Sequence, residues 1–315
     1  MTAYLRRPFI NGAIHFVYGN SSMGNVQLSC FYLSYLVAFG LELARLLRRG
    51  TIHRGIMLVF GWAGLLAHTI YLVVRSRAVD LPPLLSSTRD WILVLAWLGV
   101  FVYLFLTTFD RDLAIGLFVL PVVLAFITVA VFASQTTNVL ASDQVRYRWI
   151  MLHASLYVLG MAGVAFGLVL SLMYLFQHRR LKTTKRQIQS GLRLPSLATL
   201  TKMNWWAIVV SVPLLTCGLV SGVIVGQLFN TDTAVFKYSD PIVLLNIVVW
   251  VVMVIFFGWL MLTKRSSGKQ VASLTIWACG FLLVTVIGSQ LLSGGGVFNS
   301  FHSGVQGELQ EGTSR

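Results

Sequence analysis

The sequence of 315 residues is 57% hydrophobic and only 11% charged, with a mean hydropathy of +0.78. Soluble domains carry roughly 25% charged residues, so this composition excludes a soluble globular protein and indicates a multi-spanning membrane protein. The apolar segments are long and continuous rather than alternating, which favours helices over barrel strands. We therefore predict an all-α polytopic helix bundle that forms a single integral membrane domain over residues 1–315.

The apolar segments are numerous enough for about eight transmembrane helices, because each crossing needs roughly 20 residues. Little sequence is left for a soluble domain. In chain order, the predicted spans are Val26–Leu47, Gly55–Val74, Asp90–Thr108, Asp112–Phe132, Trp149–Gln177, Trp205–Phe229, Pro241–Leu262 and Gln270–Leu292.

The net charge of +14 is unevenly distributed between the two sides of the predicted bundle. The loops after spans 1, 3, 5 and 7, together with Arg45 in the last turn of span 1, hold 15 Lys and Arg residues, whereas the other loops and both tails hold 9. The positive-inside rule places the first set in the cytoplasm and both termini on the outer, periplasmic side. The basic connection His178–Lys202 then lies inside, where it could contact anionic membrane lipid. No basic stripe is interleaved with aromatic residues, so we expect no nucleic-acid partner.

Several familiar functional motifs are absent from the sequence. It has no phosphate-binding glycine loop, no His-Glu-x-x-His motif and no nucleophile elbow. Cys30, Cys217 and Cys279 lie in apolar segments without a Cys-x-x-Cys pair, so we predict core residues rather than a thiol–disulfide carrier. Few charges fall within the spans, and no broken-helix pair marks matching halves, which makes a transporter or channel the weaker interpretation.

Two histidines are the strongest functional candidates, because polar groups in or beside a membrane are costly to bury. His153 lies about one turn into the fifth span, and His302 follows a glycine triplet after the last span. The charge pattern places both at the outer face. They could approach one planar macrocycle from opposite sides as axial ligands of a metal such as haem iron. The alternative for His153 is a solvated interfacial histidine.

Below His153, the fifth span has a strip without side chains, formed by Gly160, Gly163 and Gly167. Such a strip permits close approach of another helix or of a flat ligand. His68 lies in the second span, at a different depth from the rim pair. It could be a third ligand, an exchange ligand during transfer or a donor to a propionate; the alternative is a hydrogen bond to a neighbouring helix.

An ordered set of sequence blocks runs from the fifth span to the C-terminal tail: Leu152–Gly160, the basic exit His178–Lys182, Leu194–Leu197, Pro213–Gly222, Asp240-Pro241 and Phe301–Ser303. In these blocks, from Leu152 onward, the chain resembles the CcsA/HemX-type cytochrome c assembly family, most strongly over residues 149–305. In that family, the histidines matching His153 and His302 are taken to ligate haem iron beside a tryptophan-rich platform.

The chain departs from the family pattern between the sixth and seventh spans. The tryptophan-rich (WWD) signature is missing, and only its closing Asp240-Pro241 remains. No tryptophan lies between Trp206 and Trp250. The resemblance therefore identifies a divergent member of the family.

The resemblance implies a haem-binding integral membrane protein of a bacterial plasma membrane that takes part in cytochrome c assembly. It would handle or deliver haem b on the outer face, with bis-histidine ligation by His153 and His302. Its partners would be apocytochrome c and a CcsB-like assembly protein, so it would be at most a subunit of a haem-attachment system. The alternative is a HemX-like regulator or scaffold for haem biosynthetic enzymes, acting through the inner loop His178–Lys202. The missing tryptophans favour that alternative.

Overall fold

The computed structural model describes residues 21–47, 54–109, 114–133, 144–183, 194–228, 241–263 and 268–294. Within these residues the secondary structure is helical, without strands. The helices are α1 Ser21–Leu47, α2 Arg54–Val79, α3 Pro83–Ser86, α4 Thr88–Phe109, α5 Gly116–Phe132, α6 Gln144–Thr183, α7 Leu197–Leu228, α8 Pro241–Leu262 and α9 Gly268–Gly294.

Six of these helices are long and apolar enough to cross a membrane: α2, α4, α6, α7, α8 and α9. Helices α1 and α5 contribute shorter apolar segments, Leu28–Ala44 and Gly116–Phe132. The eight long helices correspond in order to the eight predicted spans. The predicted all-α, multi-pass membrane bundle is therefore confirmed, while the residues at both chain termini lie outside the described ranges.

Two helices extend well beyond the predicted spans. Helix α6 begins at Gln144 and ends at Thr183, whereas Trp149–Gln177 was predicted, and α7 begins at Leu197 rather than Trp205. Charged residues mark the end of an apolar segment in the sequence. They do not end the helix, because its backbone hydrogen bonds continue into the interface between membrane and water. With 40 residues, α6 is about 60 Å long, roughly twice the thickness of the hydrocarbon core.

The long helices pack as two closed rings of four. In the N-terminal ring, α1 contacts α2, α2 contacts α4, α4 contacts α5, and α5 returns to α1. In the C-terminal ring, α6 contacts α7, α7 contacts α8, α8 contacts α9, and α9 returns to α6. The two rings meet through α6, which also packs against α3, α4 and α5. Helix α6 is therefore the shared wall of the bundle.

The prediction that all three cysteines are core residues was wrong for two of them. Cys279 is buried, whereas Cys30 and Cys217 are exposed on helix surfaces. In a membrane, lipid tails are as apolar as a protein core, so an apolar sequence context does not distinguish a lipid-facing side chain from a packed one.

Candidate functional site

The His153 ring lies in the interface between α6 and α7, against a stretch of α7 that has two glycines. Its Nδ1 atom is 2.8 Å from the carbonyl oxygen of Gly218. A Cβ atom built on Gly222 would lie 2.7 Å from Cε1 of His153 and 3.0 Å from Nδ1. The absence of a side chain at Gly222 is therefore what makes room for the imidazole.

The contact with Gly218 fixes the tautomer of His153. A backbone carbonyl only accepts hydrogen bonds, so Nδ1 carries a proton, and in the neutral imidazole Nε2 is then the nitrogen with the unshared electron pair. Ser221 strengthens the arrangement, because its hydroxyl donates to the same carbonyl at 2.7 Å and lies 3.5 Å from Nδ1. Histidines that bind metals usually donate their other N–H to such an acceptor. The imidazole of His153 is thus held in one orientation by α7.

The metal-ligating side chains in the described ranges suit a metal whose other coordination positions are filled by a cofactor. These ranges hold no group of three or more His, Cys, Asp or Glu side chains able to hold a bare metal ion. His153 is partly exposed and offers one nitrogen lone pair. That chemistry fits haem, in which the macrocycle fills the equatorial positions and the protein supplies axial ligands.

One turn along α6 from His153, polar side chains connect three helices. The Tyr157 ring lies 6.1 Å from the His153 ring, and its hydroxyl donates to Oδ1 of Asn246 in α8 at 2.8 Å. Nearby, the Trp250 indole donates to Oγ1 of Thr216 in α7 at 2.9 Å. Between them is a cavity of about 20 Å³, lined partly by Tyr157, Asn246 and Trp250, which has room for about one water molecule.

The glycine strip of α6 packs against α7, which decides between its two interpretations. A Cβ on Gly160 would lie 2.7 Å from Cγ of Leu215, and one on Gly163 would lie 2.1 Å from Oγ of Ser211. Gly167 faces Asn204 and Ala207 at ordinary contact distance. The strip is occupied by a helix, so a flat ligand cannot lie along it. A macrocycle ligated by His153 must approach from outside this interface.

His68 is enclosed in the N-terminal ring and is 0% exposed. Its ring stacks on Phe31 of α1, with centroids 4.1 Å apart and planes only 1° from parallel. Its Nδ1 is 3.3 Å from the Tyr35 hydroxyl, while Nε2 has no hydrogen-bond partner among the described residues. The hydrogen bond to a neighbouring helix, one of the two interpretations of this histidine, is therefore present.

The two predicted site histidines that the structure describes, His153 and His68, lie in different helix interfaces. His153 contacts α7 and His68 contacts α1, so they share neither a hydrogen-bonding nor a ring partner within the described residues. His302 lies outside the described residues, as do the loop between α7 and α8 and residues 184–193 of the basic connection. Pairing of His153 with His302 therefore remains a prediction.

The sequence analysis did not identify the residues that position His153 and the polar residues near it. Gly218 and Gly222 are four residues apart in α7, the same spacing of small residues that marked the strip on α6, and this spacing was the available signal. Asn246 was also overlooked, although it is an amide within the most apolar of the candidate spans, Val243–Leu262. Polar groups in such a segment are expected to face the bundle interior.

Comparison with known proteins identifies the family. The model of the cytochrome c assembly protein family matches residues 85–295, from α3 to just past the end of α9. The match includes His153 but not His68 or His302, and it begins upstream of Trp149, where the resemblance was predicted to be strongest. The chain is also 25% identical over 250 residues to the cytochrome c biogenesis protein CcsA of Chlamydomonas reinhardtii, covering 76% of this chain and 67% of that protein. The chain therefore belongs to the cytochrome c assembly family, and it is a multi-pass membrane protein of cytochrome c biogenesis.

Proposed function

We propose that the protein binds haem b at the outer end of the bundle and handles or delivers it during cytochrome c assembly. The observation that supports this most directly is the 2.8 Å contact between His153 Nδ1 and the Gly218 carbonyl, which leaves Nε2 ready to ligate iron. His302 is the proposed second axial ligand. Membership of a cytochrome c assembly family supports haem as the ligand in preference to other metal-bearing macrocycles.

The residues of this chain divide the work of holding haem. His153 ligates, Gly218 and Ser221 orient its ring, and Gly222 leaves the space that the ring needs. Haem supplies the redox-active iron and the vinyl groups, and the protein supplies binding and positioning. His68 is proposed as an exchange ligand during transfer, which would require the Phe31 ring stacked on it to move aside.

The proposed partners follow from what the bundle contains. The described residues are almost entirely helices of the membrane bundle, which favours a separate partner that presents apocytochrome c, such as a CcsB-like assembly protein. The proposed location is a bacterial plasma membrane, and the positive-inside distribution of charge supports an orientation with both termini outside.

Difference spectra test the proposed ligation. The detergent-solubilised full chain, purified from haem-sufficient cells, should show reduced-minus-oxidised Soret and α bands typical of low-spin, six-coordinate haem. His153→Ala and His302→Ala should each lose the low-spin bands, whereas His68→Ala should keep them, because an exchange ligand is not bound at equilibrium. Folded wild-type protein without haem would overturn the proposal, and low-spin bands retained in His153→Ala would overturn the ligand assignment.

The regulator remains the second candidate function. It is favoured by the basic inner end of α6, where Arg179 and Lys182 are exposed on a helical turn that projects beyond the apolar segment. Neutralising Arg179, Arg180, Lys182, Lys185 and Arg186 should then change the output of haem biosynthesis while leaving haem bands of the protein intact. Unchanged output in cells that express the neutralised variant at wild-type level would rule this function out.

A further inference from the structure

Arg89 is a buried cation at the N-terminal end of α4. The residue is 5% exposed, and its Nε atom has no hydrogen-bond partner in the described part of the chain. Arginine remains protonated under all conditions that proteins meet. A buried charge without compensation costs several kcal/mol in a protein interior. An anion bound next to Arg89 would therefore offset this cost.

The neighbouring carboxylate is already engaged by another arginine. Asp90 is 0% exposed, and its Oδ2 atom lies 3.2 Å from Nε of Arg75. The same oxygen accepts hydrogen bonds from Ser86 at 2.6 Å and Ser87 at 2.9 Å, while Oδ1 has no hydrogen-bond partner among the described residues. Arg75, Arg89 and Asp90 together have two positive charges and one negative charge. Because Asp90 pairs with Arg75, the charge of Arg89 is the one left uncompensated within the described ranges.

The position of Arg89 in its helix adds to the attraction for an anion. Arg89 is the second residue of α4, whose 22 residues make it a full-length helix. Ser87 caps this end, since its hydroxyl accepts a hydrogen bond from the Asp90 amide at 3.2 Å. The N-terminus of a helix has a partial positive charge, so a cation there is disfavoured and an anion is stabilised.

The cluster is at the end of the bundle that the charge pattern assigns to the outer side. The connection from α2 to α4 is predicted to be outside, as is the end of α6 that bears His153. The short helix α3, which immediately precedes Arg89, packs directly against α6. Arg89 and His153 thus belong to adjoining parts of one face of the protein.

We propose that Arg89 and the N-terminal end of α4 bind one anionic oxygen group of a membrane-resident ligand, a carboxylate or a phosphate. The carboxylate source is a haem propionate, and that version rests on the proposed function. The phosphate source is the headgroup of an anionic phospholipid in the outer leaflet, which does not depend on haem. Bidentate binding by a guanidinium suits both groups.

Binding measurements on the solubilised full chain test the proposal and separate the two sources. Haem and haem dimethyl ester are titrated by Soret absorbance, and phosphatidylglycerol retention is measured by native mass spectrometry from nanodiscs that contain this lipid and phosphatidylcholine. Arg89→Gln should weaken the binding of its true ligand by about tenfold or more. Arg77→Gln is the control, because Arg77 is an exposed arginine near the C-terminal end of α2, two residues from Arg75.

The pattern of losses identifies the ligand. Weaker binding of haem but not of its dimethyl ester, with the saturated spectrum unchanged, identifies a propionate. Loss of phosphatidylglycerol with unchanged haem binding identifies the headgroup. If the wild-type protein binds no haem, the proposed function fails, and the lipid measurement still tests Arg89.

Two results would overturn the proposal. In one, Arg89→Gln stays within about twofold of the wild type for both ligands; in the other, Arg77→Gln causes the same loss. If Arg89→Gln does not fold, Arg89→Lys replaces it, because it keeps the charge and removes the planar fork. Binding by that variant should fall by about threefold or more, and wild-type affinity would overturn the guanidinium site.

Discussion

His68 in the N-terminal ring and His153 in the C-terminal ring have opposite environments. His68 is fully enclosed, with one face covered by the Phe31 ring and one nitrogen facing the Tyr35 hydroxyl. His153 is partly exposed, and the two glycines of α7 make room for its ring while a carbonyl holds Nδ1. A membrane histidine is a better candidate ligand when one nitrogen is fixed and the ring is partly exposed; burial alone is insufficient.

The largest effect is expected from filling the space beside His153 that Gly222 leaves open. Gly222→Ala would place a methyl group 2.7 Å from Cε1 of His153, so the ring must turn and Nδ1 must leave the Gly218 carbonyl. Loss of such a supporting hydrogen bond typically costs about 10- to 100-fold in metal affinity. Soret titration should show this loss, and Gly280→Ala, where no atom lies within 4 Å of the added Cβ, should leave haem affinity unchanged.

The glycine strip gives the next largest effect, and it concerns the assembly of the C-terminal ring. Gly163→Ala would place Cβ 2.1 Å from the Ser211 hydroxyl oxygen, and overpacking of this kind costs about 1–3 kcal/mol. Thermal unfolding in detergent should show the loss, and adding Ser211→Ala should restore part of it, because the obstructing oxygen is removed. If the double variant is no more stable than Gly163→Ala, the predicted clash is not the cause.

A smaller effect is expected from the hydrogen bond that joins α6 to α8. Tyr157→Phe removes the hydroxyl that donates to Asn246 at 2.8 Å, and a single hydrogen bond contributes about 1 kcal/mol. A double-mutant cycle with Asn246→Val should give a coupling energy of about that size. Additive losses, with no coupling, would mean that the two side chains do not stabilise each other.

The smallest effect is expected in the N-terminal ring. The double variant Tyr35→Phe/His68→Phe keeps an aromatic ring against Phe31 and removes both partners of the Tyr35–His68 hydrogen bond, together with the unpartnered Nε2 of His68 in the described region. Replacing both partners of a hydrogen bond by apolar groups of similar shape is nearly neutral, so the unfolding midpoint should change little and the haem bands should persist. A loss of low-spin haem as large as that in His153→Ala would contradict the different roles assigned to His68 and His153.

The sequence was sufficient to predict the spans and to select His153, because hydropathy depends on each segment alone and a rim histidine stands out among apolar residues. It was not sufficient for the contacts between helices. Whether Gly163 faces a helix or a ligand, and whether Cys30 faces lipid or core, depends on the rotation of each helix about its axis. In these nearly uniform apolar segments, no hydrophobic stripe reveals that rotation. Arg89 shows the same limit, since only the structure reveals that Asp90 pairs with Arg75.

Helix α6 belongs to the C-terminal ring, packs against α4 and α5 of the N-terminal ring, and extends past the apolar region at both ends. An α-helix of this length is stiff along its axis, so His153 and the basic turn with Arg179 and Lys182 lie on a single rod about 60 Å long. A tilt or axial shift imposed at Arg179 and Lys182 would therefore be delivered to His153 with little attenuation. In the topology and ligation proposed above, α6 would connect a cytoplasmic surface mechanically to a haem ligand at the outer face.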